Sequence, residues 1–224
     1  AASNLGEPRF NVDGAVNTAP WGRPQNDGPA LRALLLTRYA NALVDRGEKS
    51  KVENSLYRAS LPADSIVKID LEYTAHNWRE KCIDLWEEVW GHHFFTRAVQ
   101  MAALKEGAKL AARLNDPGAA AFSANEAQEI ANELSKHWSP SHGYYLSAIE
   151  MTQTPDHQKP TQLDVSVVLA ALAAEATIIT ASVKSPLFEY SSLTLVAPET
   201  FHVIVVEPFT VKVSPPFGEI MAAA

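Results

Sequence analysis

Phe94-Phe95-Thr96-Arg97-Ala98-Val99-Gln100-Met101-Ala102-Ala103-Leu104-Lys105-Glu106-Gly107-Ala108-Lys109-Leu110-Ala111-Ala112-Arg113-Leu114, closed by Asn115-Asp116-Pro117-Gly118, is the stretch that decides the fold. Phe95, Ala98, Met101, Ala102, Leu104, Ala108, Ala111 and Leu114 recur near the 3.6-residue period, and the Asn-Asp-Pro-Gly run is a strong stop. The reading is one long, Ala-rich helix. Working back, Asp27-Gly28-Pro29 offers an N-cap and an early helical proline ahead of Leu31, Leu34, Leu35, Tyr39 and Leu43, until Gly47 ends the pattern. Between the two helices, after a polar stretch with Pro62, Ile66, Ile69, Leu71, Tyr73 and Trp78 keep a mostly helical spacing. Working forward, Ser123 with Glu126 three places on has the form of a capping box, opening a helix through Ile130 and Leu134 towards Trp138. Pro140 restarts the chain, Tyr144, Leu146 and Ile149 suit a short helix, and residues 163–176 suit one more. Five or six helices with no strand between them predict an all-α, antiparallel arrangement over residues 28–176.

The two ends read differently. Residues 1–27 are dense in Gly, Pro, Asn and Asp and follow neither a helical nor a strand period, which predicts a structured loop. Residues 177–213 are crowded with Val, Ile, Thr, Phe and Tyr in short runs cut by Pro186, Pro198 and Pro208. Strands are expected there, with 201–206 and 209–213 pairing around Glu207-Pro208. The net charge of −7 over 224 residues, without a basic run, argues against nucleic acid as a partner. No apolar run approaches the roughly 18 residues of a membrane span, and residues 166–176 are broken by Glu175. The single cysteine, Cys82, allows no intramolecular disulfide. Residues 1–6 have no export leader, so such a signal would lie upstream or have been removed.

Chemistry concentrates in two places. Asp84-Leu85-Trp86-Glu87-Glu88-Val89 sets three carboxylates and an indole within six residues, just ahead of the long helix. Like charges this close favour the protonated form of at least one carboxyl, and cleavage of an acetal needs such a proton donor. The structural alternative is a solvated acidic turn favoured by the positive end of the following helix. Trp21-Gly22-Arg23-Pro24-Gln25-Asn26-Asp27-Gly28-Pro29 combines an aromatic face with directional donors and acceptors, the mixture a sugar ring demands. Here the alternative is that Trp21 plugs the core and Asp27 caps a helix.

Taken in order, these motifs resemble a known family. Gly6-Glu7-Pro8-Arg9-Phe10-Asn11-Val12-Asp13, then Trp21-Gly22-Arg23-Pro24-Gln25 with Asp27-Gly28-Pro29-Ala30-Leu31-Arg32, then Asp84-Leu85-Trp86-Glu87-Glu88-Val89 with Phe94-Phe95-Thr96, look like glucoamylase, glycoside hydrolase family 15. Ala98-Val99-Gln100, His137-Trp138, Tyr144-Tyr145-Leu146 and Leu163-Asp164 keep the same order, so the resemblance covers about residues 5–173. It implies an all-α fold, part of an (α/α)6 barrel, in residues 1–173, with an unmatched β-rich tail over 174–224. It implies hydrolysis, with inversion, of terminal α-1,4-linked glucose from starch and maltooligosaccharides, outside the cell and without a cofactor or metal. Glu87 then matches the family's general acid, and Glu88 the neighbour that bonds sugar hydroxyls. Asp84 matches a carboxylate that tunes the site, Trp21 the tryptophan packing over substrate, and Trp86 an aromatic wall. Asp27 joins them as a substrate-binding candidate.

The departures matter as much. The family's Trp-Thr-Arg-Asp segment, which grips the terminal glucose, has no counterpart ahead of Leu5. Asn17 and Thr18 stand where a pocket tyrosine is expected, Asn26 stands where a basic residue is usual, and Trp90-Gly91-His92-His93 varies the loop after the acid. An inverting enzyme also needs a base on the opposite wall, and Glu199, Glu207 and Glu219 sit in sequence that does not match that motif. The chain therefore reads as a partial or mispredicted gene product, either active as a glucoamylase or a remnant that binds glucan weakly, and with uncovered apolar faces it is expected to aggregate. Other candidates are weaker. His92 and His93 are adjacent and His76 is out of step with both, a poor metal set; Cys82 reads as a partly buried spectator thiol; the aromatics after His142 suit packing at a helix start.

Overall fold

The computed structural model describes residues 5–152, 159, 162–174, 178–185, 188–196, 210–212 and 221–223, with side chains as far as residue 174. The quoted stretch is a 20-residue helix, Phe94–Arg113. Among the described residues it is the fourth of six α-helices, after α1 (Asp27–Asp45), α2 (Lys49–Ser55) and α3 (Ile66–Asn77), and before α5 (Pro117–Leu134) and α6 (Ser166–Ala174). This fourth helix, α4, packs against α1, α3, α5 and α6 and buries residues around most of its circumference, from Phe94 and Phe95 to Leu110 and Ala111. A helix apolar on more than one face belongs in the middle of a helical layer. Its Val99, Leu104 and Leu110 share one core with Leu34, Leu71, Trp78, Ile130 and Val167 from around it. At about 25 cal/mol per Å² of apolar surface this burial dominates the stabilisation.

Several ends differ from the sequence reading. Helix α1 begins at Asp27 itself, so Asn26 takes the cap position, and Gly47 ends the helix with a positive φ of 79° as its spacing suggests. Ser123 does not open a helix. Pro117 sits in the first turn of α5 and the Asp116 carboxylate accepts from the Ala119 N–H at 3.2 Å, so the helix is already under way when it reaches the buried Ser123. Helix α2 was invisible because only Val52 of its seven residues is buried, which leaves no period to read.

The prediction of no strands among the helices fails. Short strands β1 (Cys82–Ile83) and β2 (Trp90–His93) form an antiparallel hairpin, and β5 (Ala148–Thr152) pairs with the other edge of β2 in the order β1-β2-β5. The expected short helix around Tyr144 is instead the pair β3 (Trp138–Ser139) and β4 (Tyr144–Tyr145), turned at Gly143, followed by β5. Strands of two residues show no alternation, so only tertiary pairing reveals them. Towards the C-terminus β6 (Ile178–Ser185) pairs with β7 (Phe188–Val196), as the β-branched composition leads one to expect. Residues 201–206 lie outside the described residues, and β8 (Thr210–Lys212) pairs with β9 (Met221–Ala223).

Candidate active site

The hairpin tip at residues 84–89 is shaped by one side chain. Asp84 Oδ1 accepts from the backbone N–H groups of Glu88 (2.6 Å) and Val89 (3.0 Å), while the Glu87 N–H donates to the Asp84 carbonyl at 2.9 Å. The tight turn leaves Glu87 in the left-handed region, φ 62°, a conformation that is uncommon away from glycine and is strained by about 1–3 kcal/mol.

The N-terminal loop meets this turn because Gly22 allows it. A Cβ at Gly22 would stand 2.7 Å from Ile83 Cγ1, and the Ile83 N–H donates to the Pro24 carbonyl at 3.0 Å, so loop and hairpin touch backbone to backbone. Arg23 stiffens the loop from inside, bonding Glu7 Oε2 at 2.6 Å and the carbonyls of Ala19 and Asn17. The consequence is a three-group contact: Trp21 Nε1 donates to Glu87 Oε1 at 2.8 Å, and Gln25 Nε2 donates to the same oxygen at 3.0 Å. The Arg9 guanidinium lies 4.1 Å from the centre of the Trp21 ring, covering one indole face. Trp21 remains 43% exposed, so it does not plug the core.

Trp86, Glu88 and Asp84 are gathered by a residue the sequence reading did not single out. Lys159 Nζ lies 2.9 Å from Asp84 Oδ2, 3.2 Å from Glu88 and 2.7 Å from Asp164 Oδ2, with its side chain only 9% exposed. Asp164 Oδ1 in turn accepts from Trp86 Nε1 at 3.0 Å and from the Ser166 N–H at 2.8 Å, at the first turn of α6. Burial pushes the Asp164 carboxyl up, but the bonds from Lys159, Ser166 and Trp86 outweigh it and hold it at about 2. Burial alone would lower Lys159, and its bonds to Asp164 and Asp84 raise it above the ordinary lysine value. The acidic cluster is therefore not the bare crowding of like charges that its spacing suggests. No local signal exposed Lys159, which closes a polar linker 75 residues from Asp84.

Asp27 sits apart, buried at the first turn of α1. Burial raises its carboxyl, the N–H groups of Asp27 and Gly28 pull it back, and Asp84 adds a small upward push. His93 Nε2 donates to the Cys82 carbonyl at 2.9 Å, His92 faces Glu150, and His76 on α3 lies against Phe122 of α5, so the three histidines point to three different places. Cys82 is buried, which pushes its thiol up to about 11 and leaves it a poor nucleophile. Tyr145 packs on Phe94 and Trp138, in keeping with a packing role.

The helical layer thus carries its carboxylate cluster on the β1–β2 hairpin, closed over by the N-terminal loop. The chain belongs to the glycosyl hydrolases family 15, whose model matches residues 1–189 and so runs past the end of the resemblance at 173. It is similar to a probable glucoamylase of Schizosaccharomyces pombe, 39% identical over 142 residues, 63% of this chain and 30% of that protein. Among solved structures it superposes on a family 15 glucoamylase from Hypocrea jecorina with a TM-score of 0.61 and 39% identity, covering 68% of this chain and 24% of the other. A glucoamylase from Saccharomycopsis fibuligera gives a TM-score of 0.64 at 30% identity, covering 76% and 36%. The fold is accordingly part of an (α/α)6 barrel, and the chain spans less than a third of the length of the curated relatives it matches.

Proposed function

We propose that this chain carries the acid half of a glucoamylase-type site, which removes terminal α-1,4-linked glucose from starch and maltooligosaccharides with inversion at the anomeric carbon. Membership of the family and the names of the similar proteins support the substrate class. The observation that carries the residue assignment is the pair of donors on one oxygen of Glu87, Trp21 Nε1 and Gln25 Nε2. With Oε1 engaged as an acceptor twice over, Oε2 is the atom left to carry a proton and to deliver it to the glycosidic oxygen. The leaving sugar departs as an alcohol, and water attacks the opposite face with help from a second carboxylate, a base that no residue of this chain is assigned. The open face of Trp21 and the ring of Trp86 stack on sugar, the exposed Glu88 accepts from hydroxyls, and Asp84 holds the turn. Asp27 contributes by setting the start of α1 beside the loop. In this reading residues 1–173 form the catalytic portion and 174–224 a separate tail, and the enzyme works outside the cell.

A second reading is a remnant that binds glucan without turning it over. Its ground is that none of the described residues is assigned the role of the base. Glucose release from maltose and soluble starch, measured beside Glu87→Gln, separates the two. Under the first reading the variant loses about 10²–10⁴-fold in rate, the usual contribution of a general acid, with an unchanged melting temperature. Turnover indifferent to Glu87→Gln removes this residue from the mechanism; maltooligosaccharide binding without turnover supports the second reading.

A further inference from the structure

We infer that Lys159 is a positioning residue for Glu87, a buried cation that clamps the hairpin tip to the first turn of α6 and thereby sets the proton donor and the Trp86 wall in register. The inference rests on the reading of Glu87 as the acid. Its basis is a continuous chain of contacts. Lys159 meets Asp84 through Oδ2, while Asp84 Oδ1 holds the N–H groups of Glu88 and Val89, which directly follow Glu87, and the Asp84 carbonyl holds the Glu87 N–H itself. On its other side Lys159 meets Asp164, which bonds both the Trp86 indole and the Ser166 N–H. Three carboxylates from two separate segments thus converge on one ammonium group that is 9% exposed. Without that charge Asp84 and Asp164 are buried anions with a common repulsion, and the turn that keeps Glu87 at φ 62° loses its anchor. Nothing about Lys159 touches the reacting atoms; it acts through Asp84 and Asp164.

The clamp has a spectroscopic signature. Indole N–H groups of the five tryptophans are separable in a nitrogen-labelled sample, and three have defined acceptors: Trp86 on Asp164, Trp21 on Glu87 and Trp78 on Glu126. In Lys159→Met the Trp86 and Trp21 indole protons are expected to exchange with water about tenfold faster and to shift, while Trp78, on a different element, stays as it was. Lys159→Arg, which keeps the charge and the donors, is expected to return both signals towards the unmodified protein. A Trp21 signal unmoved in Lys159→Met overturns the inference, since the lysine then does not reach Glu87. An equal change at Trp78 marks a loss of the whole fold, and the decision then passes to a second variant. If Lys159→Met does not fold, Asp164→Asn reads the same clamp from its other end, with movement of Trp21 supporting it and an unmoved Trp21 overturning it. These signals report geometry and not turnover, so they are separable from the glucose assay that tests Glu87 itself.

Discussion

Two hydrogen bonds on a single oxygen of Glu87 give the candidate site its geometry, and each donor is a separate handle on it. Trp21→Phe keeps an aromatic ring and removes only the N–H that reaches Glu87 at 2.8 Å. As Glu87 gives up its proton it becomes a carboxylate, and a hydrogen bond to a charged group contributes about 1.5–3 kcal/mol, so glucose release is expected to fall roughly 10–100-fold. The melting temperature should barely change, because the indole is on the surface. Steady-state kinetics beside a thermal melt checks both halves of that expectation. Residues of this kind were legible in the sequence because they lie within short motifs, Trp21 with Gln25 and Asp84 with Glu87, whose side-chain chemistry already suits a sugar. Lys159 was not legible, because its partners come from a distant turn and nothing in a polar linker marks a lysine as buried.

The elements show why helix ends and short strands are the weak point of a one-dimensional reading. Asp116 serves two elements at once: Oδ1 caps α5, while Oδ2 accepts from the buried Lys68 ammonium at 2.7 Å and from Tyr57 at 2.9 Å. Burial raises the Asp116 carboxyl, but Lys68, the Ala119 N–H and Tyr57 together bring it below the ordinary aspartate value. Asp116→Ala strands a lysine whose side chain is 4% exposed and removes a helix cap. Breaking such a pair from one side is expected to lower stability by about 3–5 kcal/mol, measurable by urea unfolding. The same residue explains why Ser123 misled the reading: Pro117 and Asp116 start the helix first, and once inside it Ser123 is simply a small buried residue. Glu126, its supposed capping partner, instead accepts from Trp78 and Arg79.

Across the whole molecule, acid should loosen the fold before it discharges the carboxylate clamp. His92 is half-buried and His137 fully buried, and with Arg97 close to each they fall from 6.5 to about 4, while burial lowers His93 as well. Their neutral forms belong to the folded state, so the unfolded chain binds protons first. The stability they represent is intact above pH 6.5 and is lost as the pH falls towards 4, on the order of 2 kcal/mol by pH 4.5 for His137. Asp164, held at about 2, loses its contribution only as the pH falls from 3.8 towards that value. Melting temperatures from pH 7.5 to 4 should therefore drop steadily, with a shallower drop in His137→Gln. Leu35 and Tyr39 on α1, with Leu163, Val165 and Leu172 around α6, leave large apolar side chains in water. Broad, concentration-dependent melts and growth in light scattering are expected on that account; a sharp monomeric transition at high temperature would count against it.

The sequence alone determined the long helices, the β-prone end and the family, because apolar periodicity over three or more turns and ordered motifs are properties of the chain itself. It also named Trp21, Asp27, Asp84, Trp86, Glu87 and Glu88 as a set. Tertiary structure decided what those residues touch: that Trp21 and Gln25 share one Glu87 oxygen, that two-residue strands carry the acidic turn, and that Lys159 offsets its charge. Contacts between segments separated by 60 or more residues depend on how helices and hairpins pack, and packing leaves no periodic trace in either segment.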